Sequence, residues 1–205
     1  LRWVTPDVAR SLLTNEDDLA PLQSLEALLQ ADALRTRPII ISRHAKAKPR
    51  SHWAAAEDDR PLAGTGKRQA LASAGLFAAW SPSRILSSPW LRCIQTITPY
   101  AMEKGVSVKE KKSLSEAGAQ RHPARTARTV ASLFEKDAPA ILCTHRPVLP
   151  QVMEVLSGYL WANSPADILL PKEPYLEPGD ALVLQVTLGD NPRIVSVEKV
   201  RPALD

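Results

Sequence analysis

Ile39-Ile40-Ile41-Ser42-Arg43-His44-Ala45-Lys46-Ala47 decides how the rest of this 205-residue chain is read. Three consecutive isoleucines are β-branched and wholly apolar, the signature of a strand buried on both faces. The run then ends abruptly in an arginine, a histidine and a lysine. Open α/β sheets bind ligands at the carboxyl ends of their parallel strands. A buried strand that delivers cationic side chains to such an end is a candidate site. Arg43, Lys46, Lys48 and Arg50 fall within eight residues, and the next acid is Glu57. A local positive field of this kind attracts phosphorylated ligands.

Outward from this strand, the pattern alternates. A polar loop spans Ala45 to Ala63, followed by a helix from Gly66 to about Trp80 with Leu71, Leu76 and Phe77 inward. Arg84 to Ser87 reads as a second strand. Ser88-Pro89 starts a helix over Trp90 to Glu103, serine as cap and proline in the first turn. Gly105 ends that helix. Val106 to Glu110 is a short third strand, Leu114 to Pro123 a loop and Ala124 to Lys136 a helix. Ala140 to Cys143 is a fourth, fully apolar strand, and Val148 to Leu156 the helix after it. Pro165 to Gly179 is irregular and proline-rich. Ala181 to Leu188 and Ile194 to Val200 are two strands turned at Gly189-Asp190-Asn191. The expected fold is a three-layer α/β/α sandwich around a mixed, mostly parallel sheet, with helices on both faces.

Upstream, residues 1–36 form a helical appendage, and residues 37–205 the main domain. A first helix over Pro6 to Leu13 is capped by Thr5. A second, over Pro21 to Leu34, carries Leu22, Leu25, Leu28 and Leu29 on one stripe and is stopped by Pro38. Residue 1 is leucine, which fits a piece of a longer or processed chain.

The totals narrow the class. Hydrophobic residues make up 44% and charged residues 23%, enough for a substantial core and ordinary for a globular domain. No apolar run is long enough to span a bilayer, and no signal-peptide pattern opens the chain. Cys93 and Cys143 lack CxxC spacing; they fit a reducing cytosol or one long-range disulfide. The expected location is cytoplasmic. A net charge of +4 is modest, and no aromatic interleaving or zinc-finger spacing supports a nucleic-acid complex.

Three strand ends carry the chemistry. The first brings Arg43 and His44, the second leads through Ser87-Ser88-Pro89 to Arg92, and the fourth brings His145. Arginine presents a planar fork of donors to phosphate oxygens. A neutral imidazole can attack phosphorus, and a second imidazole, once protonated, can stabilise charge on the equatorial oxygens. No metal is required for such a step. A leaving oxygen needs a proton, for which Glu116 is the candidate donor and Glu57, Asp58 and Asp59 the rivals. Trp53, Trp90, Tyr100 and Trp161 are the aromatics that could stack on a base. Competing motifs fail. Gly64-Thr65-Gly66-Lys67-Arg68 lacks the Ser/Thr of a P-loop, and Pro61 stands where its first glycine belongs. The four histidines and two cysteines have no zinc spacing. No serine sits in a GxSxG elbow.

The ordered set Arg43-His44, Arg92, His145 resembles the histidine phosphatase superfamily. Within it, Arg43 to Ala47 as Arg-His-Ala-Lys-Ala, and Asp58-Asp59-Arg60-Pro61-Leu62, resemble the short SixA-type phosphohistidine phosphatases. The resemblance implies that His44 is the nucleophile and that Arg43, Arg92 and His145 hold the phosphoryl group. It also implies that Lys46, Arg50 and Arg60 bind substrate. Glu116 matches the acid position of the mutase branch, a departure from the minimal SixA pattern. Leu1 to Ala9 resembles the tail of a Nudix domain, as in bacterial MutT-type proteins that join such a domain to a SixA-like one. That resemblance implies a phosphorylated small-molecule substrate. Nucleotides such as 8-oxo-(d)GTP/GDP or diadenosine polyphosphates are the expected ones. No cofactor is implied for this domain; Mg would belong only to the upstream Nudix domain. The alternatives are a SixA-like protein phosphohistidine phosphatase and a non-catalytic module that binds a nucleotide or regulates its neighbour.

Overall fold

The computed structural model describes residues 2–161 and 174–204. The chain falls into two compact units, Leu1–Thr36 and Arg37–Asp205. In the first unit, α1 (Pro6–Leu12) and α2 (Leu19–Gln30) carry no buried residue. Arg10 pairs with Glu26 between them. Thr5 makes no side-chain capping bond. Helix α2 ends at Gln30, four residues before the expected Leu34. The chain reverses at Asp32, where φ is +52°. Pro38 therefore does not stop the helix; it lies within the first strand, just ahead of the paired residues.

The second unit is built on β1 (Thr36–Arg43), which begins three residues before the isoleucine run. After it come α3 (Gly64–Ala78), β2 (Arg84–Ser87), α4 (Leu91–Lys104) and β3 (Val108–Glu110). Then follow α5 (Glu116–Arg121), α6 (Pro123–Ala131), β4 (Ala140–Thr144), α7 (Leu149–Ser157), β5 (Ala181–Thr187) and β6 (Ile194–Val200). The six strands form one sheet in the order β3-β2-β4-β1-β5-β6. β1 pairs with β4, β4 with β2 and β2 with β3, all parallel, while β5 and β6 are antiparallel. The sheet is mixed and mostly parallel, as expected.

Alternation along β1 explains why helices cover both faces. Ile39 and Ile41 pack with Leu142, Val130, Val152 and Leu156, on the side of α6 and α7. Ile40 packs with Phe77, Ile97 and Tyr100, on the side of α3 and α4. All three isoleucines are fully buried, each stabilising the fold by about 1.5–3 kcal/mol. Register then sets the site. Ser42 and Ser87 both align with Cys143, and Arg43 aligns with Thr144. The residues that follow these three parallel strands thus emerge at one level of one edge.

Several elements differ from expectation. Leu71 is 65% exposed, because the inward stripe of α3 is Gly66, Ala70, Ser73, Ala74 and Phe77. Two 3-10 turns, Arg50–His52 and Glu57–Asp59, and an Ala47–Leu62 bridge organise the loop after β1. The expected loop at Leu114 to Pro123 contains α5, capped by Ser115, whose hydroxyl accepts from Gly118 N at 3.0 Å. Ser88 is not the cap of α4. That helix starts after Trp90 without a side-chain cap, and Ser88 Oγ serves the site instead. Gly105 does end it, in the left-handed region at φ +64°. Much of the stretch from Pro165 to Gly179 lies outside the described residues. Among the described residues no helix is long and apolar enough to cross a membrane.

Candidate active site

His44 is held on both main-chain sides. Its N–H donates to Thr144 O at 3.0 Å, and its carbonyl accepts from Gly179 N at 3.2 Å. The next peptide is held too. Ala45 N donates to Thr96 Oγ1 at 2.9 Å, and the Thr96 hydroxyl donates to Arg92 O at 2.6 Å. One threonine of α4 thus couples the loop after β1 to the turn that carries Arg92.

The His44 ring is 8% exposed. Its Nδ1 lies 2.7 Å from Ala45 O. A carbonyl can only accept, so Nδ1 carries the proton and the Nε2 lone pair is left free. Burial depresses the imidazole pKa to about 3; the Ala45 carbonyl opposes the shift, and the charges of Arg92, Arg43 and Arg60 reinforce it. The ring is therefore neutral across the physiological range.

Arg92 is fully buried, its guanidinium 4.4 Å from the centre of the Trp90 ring. It donates to Glu57 O at 2.8 Å and to Glu116 Oε1 at 2.9 Å. Arg43 donates to Leu176 O at 2.6 Å. The Nε–H groups of Arg43 and Arg92 are buried without a hydrogen-bond partner, a condition that costs about 1–3 kcal/mol per group. Burial lowers the pKa of both guanidiniums, but arginine stays charged.

His145 is fully buried, edge-on to His44 with ring centres 5.2 Å apart and against Trp90 at 4.8 Å. Its Nε2 lies 2.7 Å from Ser88 Oγ, and its Nδ1 3.6 Å from Glu116 Oε1. Burial, then the charges around it, hold its pKa well below the ordinary value.

Glu116, the first residue of α5, touches Arg92 and His145 through Oε1 and Arg50 through Oε2 at 3.3 Å. Of its rivals, Glu57 bonds Arg60 and Arg50 and lies 3.2 Å from Arg92. The Arg60 and Arg50 hydrogen bonds outweigh burial and hold its carboxyl at about 2. Asp58 and Asp59 are exposed and do not line the cavity.

A cavity of about 410 Å³ gathers six of the eight sequence-predicted residues on its wall: Arg43, His44, Lys46, Arg50, Arg60 and Glu116. Arg92 and His145 are buried and are not on that wall. Sequence reasoning missed Arg146, which shares the lining; its place directly after His145 at the end of β4 was the available signal. It also missed that Ser88 and Trp90 support His145. Trp90 and Tyr100 are not free to stack on a base. Trp90 packs on Arg92 and His145, and Tyr100 is buried with its hydroxyl on Pro82 O at 2.8 Å. Trp53 lies beside Lys48, whose Nζ is 5.6 Å from the ring centre. Gly64-Thr65-Gly66 is the first turn of α3. A Cβ on Gly66 would lie 2.0 Å from Lys46 O, so the glycine permits close packing on the loop after β1. Among the described residues, no group of three or more His, Cys, Asp or Glu side chains is placed to hold a metal ion.

The 8-oxo-(d)GTP phosphatase of Mycolicibacterium smegmatis is 27% identical to the chain over 195 residues. The match covers 88% of the chain but only 59% of that relative's length. Among solved structures, a SixA protein histidine phosphatase complexed with tungstate superposes with a TM-score of 0.55 at 20% identity. It covers 80% of this chain and 97% of its own. A mycobacterial glucosyl-3-phosphoglycerate phosphatase gives 0.55 at 18%, covering 83% and 100%. At these identities the structures speak for the fold. The family model described as histidine phosphatase superfamily (branch 1) matches residues 39–157, more than half of the sequence. With β1 and His44 at the start of that match and His145 inside it, the chain belongs to the histidine phosphatase superfamily.

Proposed function

We propose that the domain is a metal-independent phosphohydrolase that works through a phosphohistidine on His44. The observation that carries this reading is the Nδ1–Ala45 O contact, which leaves a neutral Nε2 lone pair in a basic cavity. Arg43 and Arg92, each with an unpartnered buried Nε–H, fit the oxygens of a phosphoryl group, and His145 adds a third contact. Lys46, Arg50 and Arg60 bind the substrate. His44 Nε2 bonds to phosphorus, and the phosphorus–oxygen bond to the leaving group breaks. Glu116 delivers a proton to that oxygen. A water then attacks phosphorus, Glu116 takes its proton, and the nitrogen–phosphorus bond returns its electrons to His44.

The substrates proposed are nucleoside di- and triphosphates, such as 8-oxo-(d)GTP/GDP, or diadenosine polyphosphates. The name of the Mycolicibacterium smegmatis relative supports this choice. Residues 1–36 are proposed as the tail of an upstream Nudix domain, with residues 37–205 as the phosphatase domain. A panel of nucleotides, simple phosphate esters and a phosphorylated histidine-containing transfer protein tests the reading on wild type and His44→Ala. Turnover of nucleotides and an acid-labile phosphoenzyme, both lost in His44→Ala, are expected. Turnover of the transfer protein with nucleotides untouched would favour a SixA-like activity; full turnover by the variant would overturn the mechanism.

A further inference from the structure

The cavity, with Arg92 buried behind its wall, holds more positive charge than one phosphoryl group uses, and the cations divide into two sets. Arg43, Arg50, Arg60 and Arg92 are already engaged, with the carboxylates of Glu57 and Glu116 or with main-chain carbonyls. Lys46, Lys48 and Arg146 line the same cavity, are exposed, and have no carboxylate partner among the described residues. Arg146 is close enough to Arg43 for their charges to repel. Of the first set, Arg43, Arg60 and Arg92 are buried or half-buried; the second set, like Arg50, is exposed and stands toward the mouth.

In-line displacement separates the two sets by role. His44 attacks from the buried floor, so the leaving oxygen departs on the opposite side of phosphorus, toward the mouth. Whatever the leaving group carries meets the second set. An uncharged alcohol would give three unpaired cations nothing to bind. A leaving group bearing a second phosphate would bring at least one further negative charge to them. Arginine, with its fork of donors, is suited to oxygens of such a group, and Lys48 beside Trp53 adds a point charge.

Building on the phosphohydrolase reading above, we infer that Arg146, with Lys46 and Lys48, forms a leaving-group subsite that selects phosphoanhydrides over simple phosphate monoesters. Arg146 is the specificity-determining member, because it reaches the cavity from the end of β4, whereas both lysines belong to the loop after β1.

The test compares GDP with p-nitrophenyl phosphate on the full chain. For Arg146→Ala, the ratio of kcat/KM for GDP to that for p-nitrophenyl phosphate should fall about 10-fold, through KM for GDP, the size expected for one partly exposed charge-assisted contact. Arg146→Lys should recover part of the ratio. Raising the salt concentration should increase KM for GDP more steeply than KM for the ester. A ratio unchanged by Arg146→Ala overturns the subsite, as does wild-type turnover of the ester without turnover of GDP. His44→Ala separates the two levels. If it abolishes turnover while Arg146→Ala leaves the ratio alone, only the subsite falls; if it retains turnover, the underlying mechanism falls.

Discussion

His44→Asn should remove a pH dependence of stability that wild type carries. Asparagine retains an N–H for Ala45 O and is no larger than the ring it replaces, so the comparison isolates titration of the ring. The imidazole has a pKa of about 3 when folded and about 6.5 in an unfolded chain. Between these values the unfolded state binds a proton that the folded state does not, so stability falls as pH falls. At pH 7 the loss is only about 0.2 kcal/mol; at pH 5 it reaches about 2 kcal/mol. The difference is the increment that His44 alone contributes across that window. Carboxylates titrate alike in both proteins and cancel. Urea unfolding at pH 7 and pH 5 measures the effect: wild type should lose about 2 kcal/mol more than His44→Asn between the two. Parallel losses in the two proteins, or a His44 pKa above about 6 by NMR in the wild type, would refute the claim that burial keeps His44 neutral. The same reasoning predicts that the His44 ring stays largely neutral down to about pH 4.

Three further outcomes rest on particular contacts. Glu116→Gln should lower kcat by about 10²–10³-fold on a substrate with a poor leaving group and much less on p-nitrophenyl phosphate, because only the former needs the proton; equal losses on both would count against Glu116 as donor. Thr96→Val removes the hydroxyl that accepts from Ala45 N and donates to Arg92 O. It should destabilise by about 1–3 kcal/mol and reduce kcat/KM, read by thermal melting and steady-state kinetics. Gly66→Ala should destabilise by about 2 kcal/mol or more, since the new Cβ meets main chain rather than a flexible side chain; an unchanged Tm would show that α3 can shift freely against the loop after β1.

What was legible in the sequence was local. The isoleucine run, the apolar Ala140 to Cys143 and the alternating helices identify buried parallel strands because burial on both faces leaves no polar position. Arg43, His44 and His145 could be marked because each lies at or directly after the end of such a strand. Errors came where periodicity is weak or tertiary context overrides it. Leu71 looks inward by hydrophobicity, yet the small residues Gly66 and Ala70 pack on the loop after β1 and Ala74 and Phe77 on the sheet, which leaves Leu71 outward. The six residues of α5 are too few to show a helical stripe. Ser88 reads as a helix cap by its position before proline, whereas in the fold the His145 ring lies within hydrogen-bonding distance of its hydroxyl.

Arg43-His44 at the end of a doubly buried strand was therefore determined by the sequence by itself, as was the fold class, because both follow from hydrophobic pattern and chain order. Only the tertiary structure decided the protonation and partners of those groups. The free Nε2 lone pair depends on a carbonyl at 2.7 Å and on exclusion of water. The depressed pKa of Glu57 depends on Arg60 and Arg50. The position of Arg146 in the same cavity as Lys46 and Lys48 depends on β1 and β4 lying side by side, in the parallel register that aligns Arg43 with Thr144. Charge and proton positions are set by distances of a few ångströms between segments remote in sequence, and those distances exist only once the sheet has formed.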